Sequence, residues 1–323
     1  MRITASVVLL AVLIVRVPDF SWSQLFPAWS VRTALWLGAA ILLTLAGIVL
    51  SAVRWQKVLD ALEVRTKLPR LVRHNLAGHF VSNVLPTTIG GDVLRVTRLS
   101  RDTGEAPRPF ASVVLERLTG WLVLPAITIV GFSINPGLRH LGVATRVAVG
   151  LAAATLLLLG GVLLAVASAR IGGRLAANQG WRRFAGAVHM GLTRLRDHPG
   201  AAINVLAAGL AYQLILVLAA VSAAQALGLR AAGLTALLAF FPAVLIAQVL
   251  PISVSGLGVR EGAFVLFLGP LGVAQHEAIA LGLLLYLLNL LVSLLGVPAF
   301  AAGSGRIRPP TTAEGHVSAT TPA

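Results

Sequence analysis

The sequence predicts an all-α polytopic membrane protein: about six full spans plus two broken re-entrant hairpins in an inverted repeat. Three observations carry this expectation. Of 323 residues, 57% are hydrophobic and only 11% are charged, whereas about a quarter are charged in an ordinary soluble domain. Uncharged apolar runs of spanning length recur along the chain; Ala34–Val53 is 20 residues, enough to cross the hydrocarbon. Basic residues collect between those runs, as they do in cytoplasmic loops.

Ile3–Val15 follows Arg2 and reads as the first span. No small-residue cleavage site precedes Arg16 to Phe20, so it is taken as retained and not as a signal peptide. Trp22, Phe26, Pro27 and Trp29 suit an interface. Ala34–Val53 is the next span. From Arg54 to Asn75, the cations Arg54, Lys57, Arg65, Lys67, Arg70 and Arg73 accompany Trp55, Val58, Leu59 and Leu62, spaced i, i+3, i+4, i+7. That spacing predicts an amphipathic helix lying on the cytoplasmic leaflet.

Asn83–Arg95 cannot be a simple transmembrane helix. Pro86 removes a backbone donor, Gly90 and Gly91 loosen the chain, and Asp92 and Arg95 are charged. Arg98, Arg101 and Arg108 follow, so basic residues flank the break on both sides. Both ends then lie in the cytoplasm, and the segment is a re-entrant hairpin whose free backbone groups need cover from protein or a wet cavity. Ala111–Ile134 spans, with Glu116 and Arg117 near its cytoplasmic start. Asn135–Arg146 is external, and Val147–Ser168 returns. Ala169–Gly200 is basic, with an interfacial stripe of Trp181, Phe184, Val188, Leu192 and Leu195. Ala201–Ser222 goes out. Leu234–Leu250 is apolar, breaks at Pro251 and resumes at Glu261–Leu271; two full spans are the alternative to a hairpin here, because the first arm is nearly long enough to cross. Ala278–Ala302 is the last span, and Arg306 and Arg308 place the tail inside.

Val249–Arg260 aligns without gaps on Val84–Arg95, sharing Val, Leu, Pro, one Gly and the final Arg at an offset of 165. The same shift brings Ala34–Val53 and Ala111–Ile134 onto later spans. Three crossings per half is odd, so the second half enters upside down, and paired broken helices in such repeats mark a transporter-like site at the midplane. Residues 1–303 are expected to form a single integral membrane domain with halves of about 1–134 and 147–302, and 304–323 a disordered tail.

These features narrow the chemistry. The net charge of +15 is explained by topology and anionic headgroups, not by nucleic acid. Without cysteine there is no disulfide, thiolate nucleophile or cysteine-ligated metal. The seven histidines show no metal spacing, Gly90-Gly91-Asp92 lacks the Lys-Ser/Thr of a phosphate loop, and Ser253 and Ser255 lack a nucleophile's context. No catalytic residue, metal or cofactor is therefore expected. The candidate substrate-binding residues are Asn83, Asp92, Arg95, Glu116, Arg117, Ser253, Ser255, Arg260 and Glu261. Pro86, Gly90, Gly91, Pro251, Gly256 and Gly258 shape the backbone around them. Asp92 and Arg95 fall one turn apart beside a helix N-terminus, which can hold a phosphate or simply cap the helix. A carboxylate inside a span, as at Glu116, is costly and faces either a partner or a cavity; Arg260 and Glu261 repeat the choice. Tyr212, Gln213, Gln248 and Asn289 read as interhelical hydrogen-bonding residues, and Arg98 and Arg101 as flanking cations. Asp92, Arg95, Glu116, Arg260 and Glu261 are expected to converge on one polar cavity.

Asn83, Pro86, Gly90-Gly91-Asp92, Arg95, Glu116-Arg117, Gly120, Pro251, Ser253 and Ser255 to Glu261, in that order, resemble the family named after the transmembrane region of lysylphosphatidylglycerol synthase, often called flippase-like domain proteins. The resemblance covers about residues 1–303. It implies a multi-pass protein of the cell membrane, both termini cytoplasmic, that translocates a membrane phospholipid or lipid-linked molecule. In the namesake a soluble aminoacyl-transferring domain follows; here the chain ends soon after the last span, so aminoacylation is not expected. The alternatives are a non-catalytic membrane partner of a separate lipid-modifying enzyme and, behind it, an integral membrane lipid transferase.

Overall fold

The computed structural model describes residues 29–84, 89–167, 182–249 and 255–302. The expected first span Ile3–Val15, the breaks at Pro86 and Pro251, Ser253, Trp181 and the tail 304–323 lie outside the described residues. Within them the chain is α-helical, with no strand. Among the described residues, five helices are long and apolar enough to cross a membrane: Val31–Ala61, Pro107–Ile134, Val143–Leu164, Pro199–Ala226 and Gln275–Ser293.

Helix α1 (Val31–Ala61) starts at Ser30, whose hydroxyl accepts from the Thr33 N–H at 3.0 Å, a standard N-cap. Its 31 residues rise about 46 Å, well beyond the hydrocarbon thickness. The expected interfacial helix after Val53 is therefore corrected. No breaker separates Val53 from Ala61, so the span simply continues, and Trp55, Val58, Leu59 and Leu62 are fully buried against protein. The amphipathic stripe faces neighbouring helices, not lipid headgroups.

Helices α2 (Leu68–Val84) and α3 (Gly90–Thr103) form the first hairpin. They approach through small residues: a Cβ on Gly91 would strike the Gly78 carbonyl and the Ser82 hydroxyl, and one on Gly78 would lie 2.9 Å from Cγ of Arg95. Such close approach is how helices associate in lipid, where apolar burial gains little. Helix α4 (Pro107–Ile134) opens with proline in its first turn and is followed by a 3₁₀ turn, Pro136–His140, and α5 (Val143–Ala167). Helix α6 (Arg182–Asp197) presses Val188 and Leu195 into the core formed by α1, α2 and α4.

Helix α7 (Pro199–Ala226) makes its largest contact with α1. Helices α8 (Leu234–Ala247) and α9 (Val259–Leu268) form the two arms of the second break. At 14 and 10 residues they rise about 21 and 15 Å, less than the roughly 30 Å needed to cross. Their aromatic rings lock them together: Phe240 stacks on Phe267 at 5.4 Å and Phe241 on Phe264 at 6.0 Å.

The expected last span, Ala278–Ala302, is in fact two pieces, α10 (Gln275–Ser293) and α11 (Gly296–Ala301). Pro298 has no N–H to give and crowds the carbonyl four residues back, so the helix ends near Leu294. The chain then turns so that Gly296 meets the backbone of Leu76 on α2. Gly131 of α4 meets the backbone of α8 in the same manner, with a Cβ there 2.7 Å from Cα of Ala239. Gly131 and Gly296 are separated by 165 positions, the offset of the two broken segments.

Candidate functional site

A run of ion pairs crosses the interior where α1, α3 and α4 meet. Glu116 of α4 is 1% exposed. Its Oε1 accepts from Nη2 of Arg54 at 2.8 Å and from the Ser51 hydroxyl at 3.3 Å, and its Oε2 accepts from Nη2 of Arg95. Arg95 also reaches Asp92, Nη1 to Oδ1 at 3.4 Å. The other Asp92 oxygen, Oδ2, accepts from Nε of Arg117 at 3.1 Å and lies 2.8 Å from its Nη2. Local sequence explains the layout. Asp92 sits in the first turn of α3, where the helix dipole favours an anion, and Arg95 follows at i+3 on the same face. Glu116 and Arg117 are consecutive on α4, so they point about 100° apart. Glu116 turns inward, while the Arg117 side chain is 48% exposed. Gly120 makes room for Arg54: a Cβ there would lie 2.6 Å from Nη1.

Aromatic rings flank the buried cations. The Arg95 guanidinium lies 4.2 Å from the Trp55 ring centre and that of Arg54 lies 4.6 Å from Tyr212. Trp55 is itself pinned, its Nε1 donating to the Ser112 hydroxyl at 2.9 Å. Among the described residues three guanidiniums face two carboxylates, which leaves one positive charge over. The Nε atoms of Arg54 and Arg95 are buried with no partner among the described residues. The network thus has a surplus of both charge and donors, the requirement for meeting an anion.

Two spaces adjoin it. A polar cavity of about 60 Å³ is lined by Thr44, Ser51, Asn75, His79, Tyr212 and Asn289. An apolar groove of about 350 Å³ runs between α3 and α4, past Val93, Val96, Val114 and Trp121, with Asp92 and Arg117 on its wall. Leu118 lines this groove and also a second apolar one, about 330 Å³, between α4 and α5, α6 and α7. Helix α4 is therefore a ridge between two apolar grooves, with Arg117 beside it.

Asp92, Arg95, Glu116 and Arg117 are brought together, and Gly90 and Gly91 open the helix that carries the first two. Asn83 spends its amide on its own helix, Nδ2 donating to the His79 carbonyl at 2.9 Å. Ser255 bridges the two breaks: its hydroxyl donates to the Ser82 carbonyl at 3.3 Å, from a backbone held at φ 50°, unusual for a residue with a Cβ. Gly256, at φ +77°, lets the chain pass Gln248, where a Cβ would come within 2.7 Å.

Arg260 and Glu261 form their own closed unit. Arg260 donates Nε and Nη2 to Glu261 Oε1 at 3.2 and 3.0 Å, and Glu261 Oε2 accepts from the Gly258 N–H at 2.6 Å. Gly258 turns at φ +85°, and Arg260 lies 5.4 Å from the Tyr286 ring. Among the described residues, no hydrogen bond or ion pair joins this unit to the Glu116 network.

Sequence reasoning missed Arg54, Ser51 and Tyr212 as members of the site. The available signal was helix continuity: nothing after Val53 stops the span, so Arg54 stays inside it. Arg98 is also more than a flanking cation. It donates to the Ala299 and Phe300 carbonyls at 2.7 and 2.8 Å, tying α3 to the C-terminal end of α11.

No curated protein matches the chain. A family model described as the Lysylphosphatidylglycerol synthase TM region matches residues 2–296. With that match over most of its length, and with helices long and apolar enough to cross a membrane, the chain belongs to the lysylphosphatidylglycerol synthase TM region family and is a membrane protein related to lipid handling.

Proposed function

We propose that this protein moves a phospholipid or lipid-linked molecule between the leaflets of the cell membrane, holding its anionic headgroup at the open end of the Glu116 network. The observation that carries this reading is the junction at Arg117. A buried network with one surplus positive charge ends in a half-exposed guanidinium, directly on the wall of an apolar groove. A headgroup phosphate exchanges with Asp92 for Arg117 while acyl chains lie on either side of Leu118. Asp92 keeps Arg117 neutralised when the site is empty, so binding replaces one ion pair with another at modest net cost.

Residues 1–303 act in this reading as one domain of two inverted halves, about 1–134 and 147–302, with both termini cytoplasmic. Supporting it are the matched glycine contacts of Gly131 and Gly296, the pairing of α1 with α7, and α8 and α9 arms too short to cross. Rocking of one half against the other exposes the headgroup to each leaflet in turn. Proteoliposomes carrying the purified protein and fluorescent phospholipids test the proposal. Leaflet exchange faster than in protein-free liposomes is expected for at least one anionic lipid; equal rates across a lipid panel would refute it for those lipids.

A further inference from the structure

A second cationic cluster stands at the other end of α4. Arg139, His140 and Arg146 line an open groove of about 560 Å³ whose floor runs down α5 past Val149, Gly150 and Ala153. All three side chains are exposed. Among the described residues none is in an ion pair, and the one side-chain hydrogen bond they make is from Arg139 Nε to the Phe132 carbonyl at 2.9 Å. The Thr145 hydroxyl donates to the Leu138 carbonyl at 2.7 Å, which pins the turn to the helix and holds the cluster in shape. Gly142 and Gly150 leave the groove open, with nothing near where their Cβ atoms would be.

Position gives this cluster its meaning. From Arg117 to Ile134 the helix rises about 25 Å, close to the hydrocarbon thickness of about 30 Å. The Arg117 and Arg139 clusters therefore belong to opposite bilayer interfaces. The basic-rich face with Arg70, Arg73, Arg98 and Arg101 is the cytoplasmic one by charge bias, which leaves Arg139 and Arg146 outside, where short loops ordinarily lack arginine. Two arginines without acidic partners in that loop run against the bias unless an anion uses them.

We propose that this groove is a binding site for an anionic phospholipid of the outer leaflet, its phosphate held by Arg139 and Arg146 and one acyl chain laid along Val149 and Ala153. The floor decides between a lipid and a soluble anion: a free phosphate engages the arginines alone, whereas the groove continues as an apolar surface down α5, a span only 22% buried within the protein. As the second station of a translocation path, the site rests on the reading above; as a binding site it stands independently.

Native mass spectrometry of the detergent-purified chain, with added phosphatidylglycerol or phosphatidylcholine, tests it. The expected result is retention of phosphatidylglycerol over phosphatidylcholine, binding at least about tenfold weaker in Arg139→Ala/Arg146→Ala, and recovery in the paired lysine variant. Should the double variant fold poorly, Arg146→Ala alone serves, since its side chain makes no hydrogen bond or ion pair among the described residues, and a several-fold loss is expected. Equal retention of both lipids, unchanged binding in the variants, or full displacement of phosphatidylglycerol by glycerol phosphate would each overturn the site. If the adduct is specific but proteoliposomes show no lipid exchange, the translocator reading fails and this site survives.

Discussion

Arg95 and Arg260 occupy equivalent places, 165 positions apart at the start of α3 and α9, yet their charges are met in different ways. Arg260 takes its carboxylate from the next residue. Glu261 is fully buried, anchored to the Gly258 N–H, and seated where Gly282 of α10 leaves room. Arg95 takes its carboxylate from another helix, shares it with Arg54, and shares Asp92 with a half-exposed Arg117. Ala219, Leu281 and Gly282 stand in the second half where Arg54, Glu116 and Arg117 stand in the first. The Arg260 segment carries a self-contained pair, which closes; the Arg95 segment has its arginine's partners spread over three helices and leaves one end open. Sealed ion pairs hold a fold, whereas an open and over-cationic one is available to a ligand.

Breaking each unit separates these roles. The largest effect is expected for Glu116→Gln. Neutralising the shared carboxylate leaves buried Arg54 without a charged partner and Arg95 with only its longer contact to Asp92, at about 3–5 kcal/mol, read as a lower midpoint of thermal unfolding in detergent or as lost expression. Glu261→Gln comes next, at about 2–4 kcal/mol, since the one oxygen left cannot serve both the buried Arg260 guanidinium and the Gly258 N–H; lipid exchange per folded molecule should be unchanged. Gly131→Ala and Gly296→Ala each force a Cβ into neighbouring backbone and should destabilise by about 1–3 kcal/mol. Similar losses in these two variants would sharpen the equivalence of the halves, and a large loss in only one would break it. Arg117→Ala should change stability least, by less than about 1 kcal/mol, because its side chain is half-exposed and the Asp92 it leaves still pairs with Arg95.

The charged end of the site was readable in the sequence because Asp92, Arg95, Glu116 and Arg117 are expensive in apolar surroundings, and so announce themselves one by one. Arg54 was not, because its role depends on α1 running straight through the boundary where charge first appears. Arg98 was hidden for another reason: its acceptors are carbonyls at residues 299 and 300, which carry no side-chain signature. The convergence expected of the two halves followed from their similarity alone. Similarity in sequence sets where Arg260 begins its helix, but the shift of one carboxylate from the α10 position to Glu261 decides that it is sealed locally. The division of the last span had its cause in view at Pro298, outweighed by the apolar run around it.

Arg117, and not the buried pairs, is the group expected to meet the lipid. Exchange of a fluorescent anionic phospholipid should be compared between wild type and Arg117→Ala in proteoliposomes with equal amounts of folded protein. A fall of about tenfold in the variant, matching the loss of one charge-assisted phosphate contact, with an unchanged unfolding midpoint, is the predicted result. An unchanged exchange rate would contradict it.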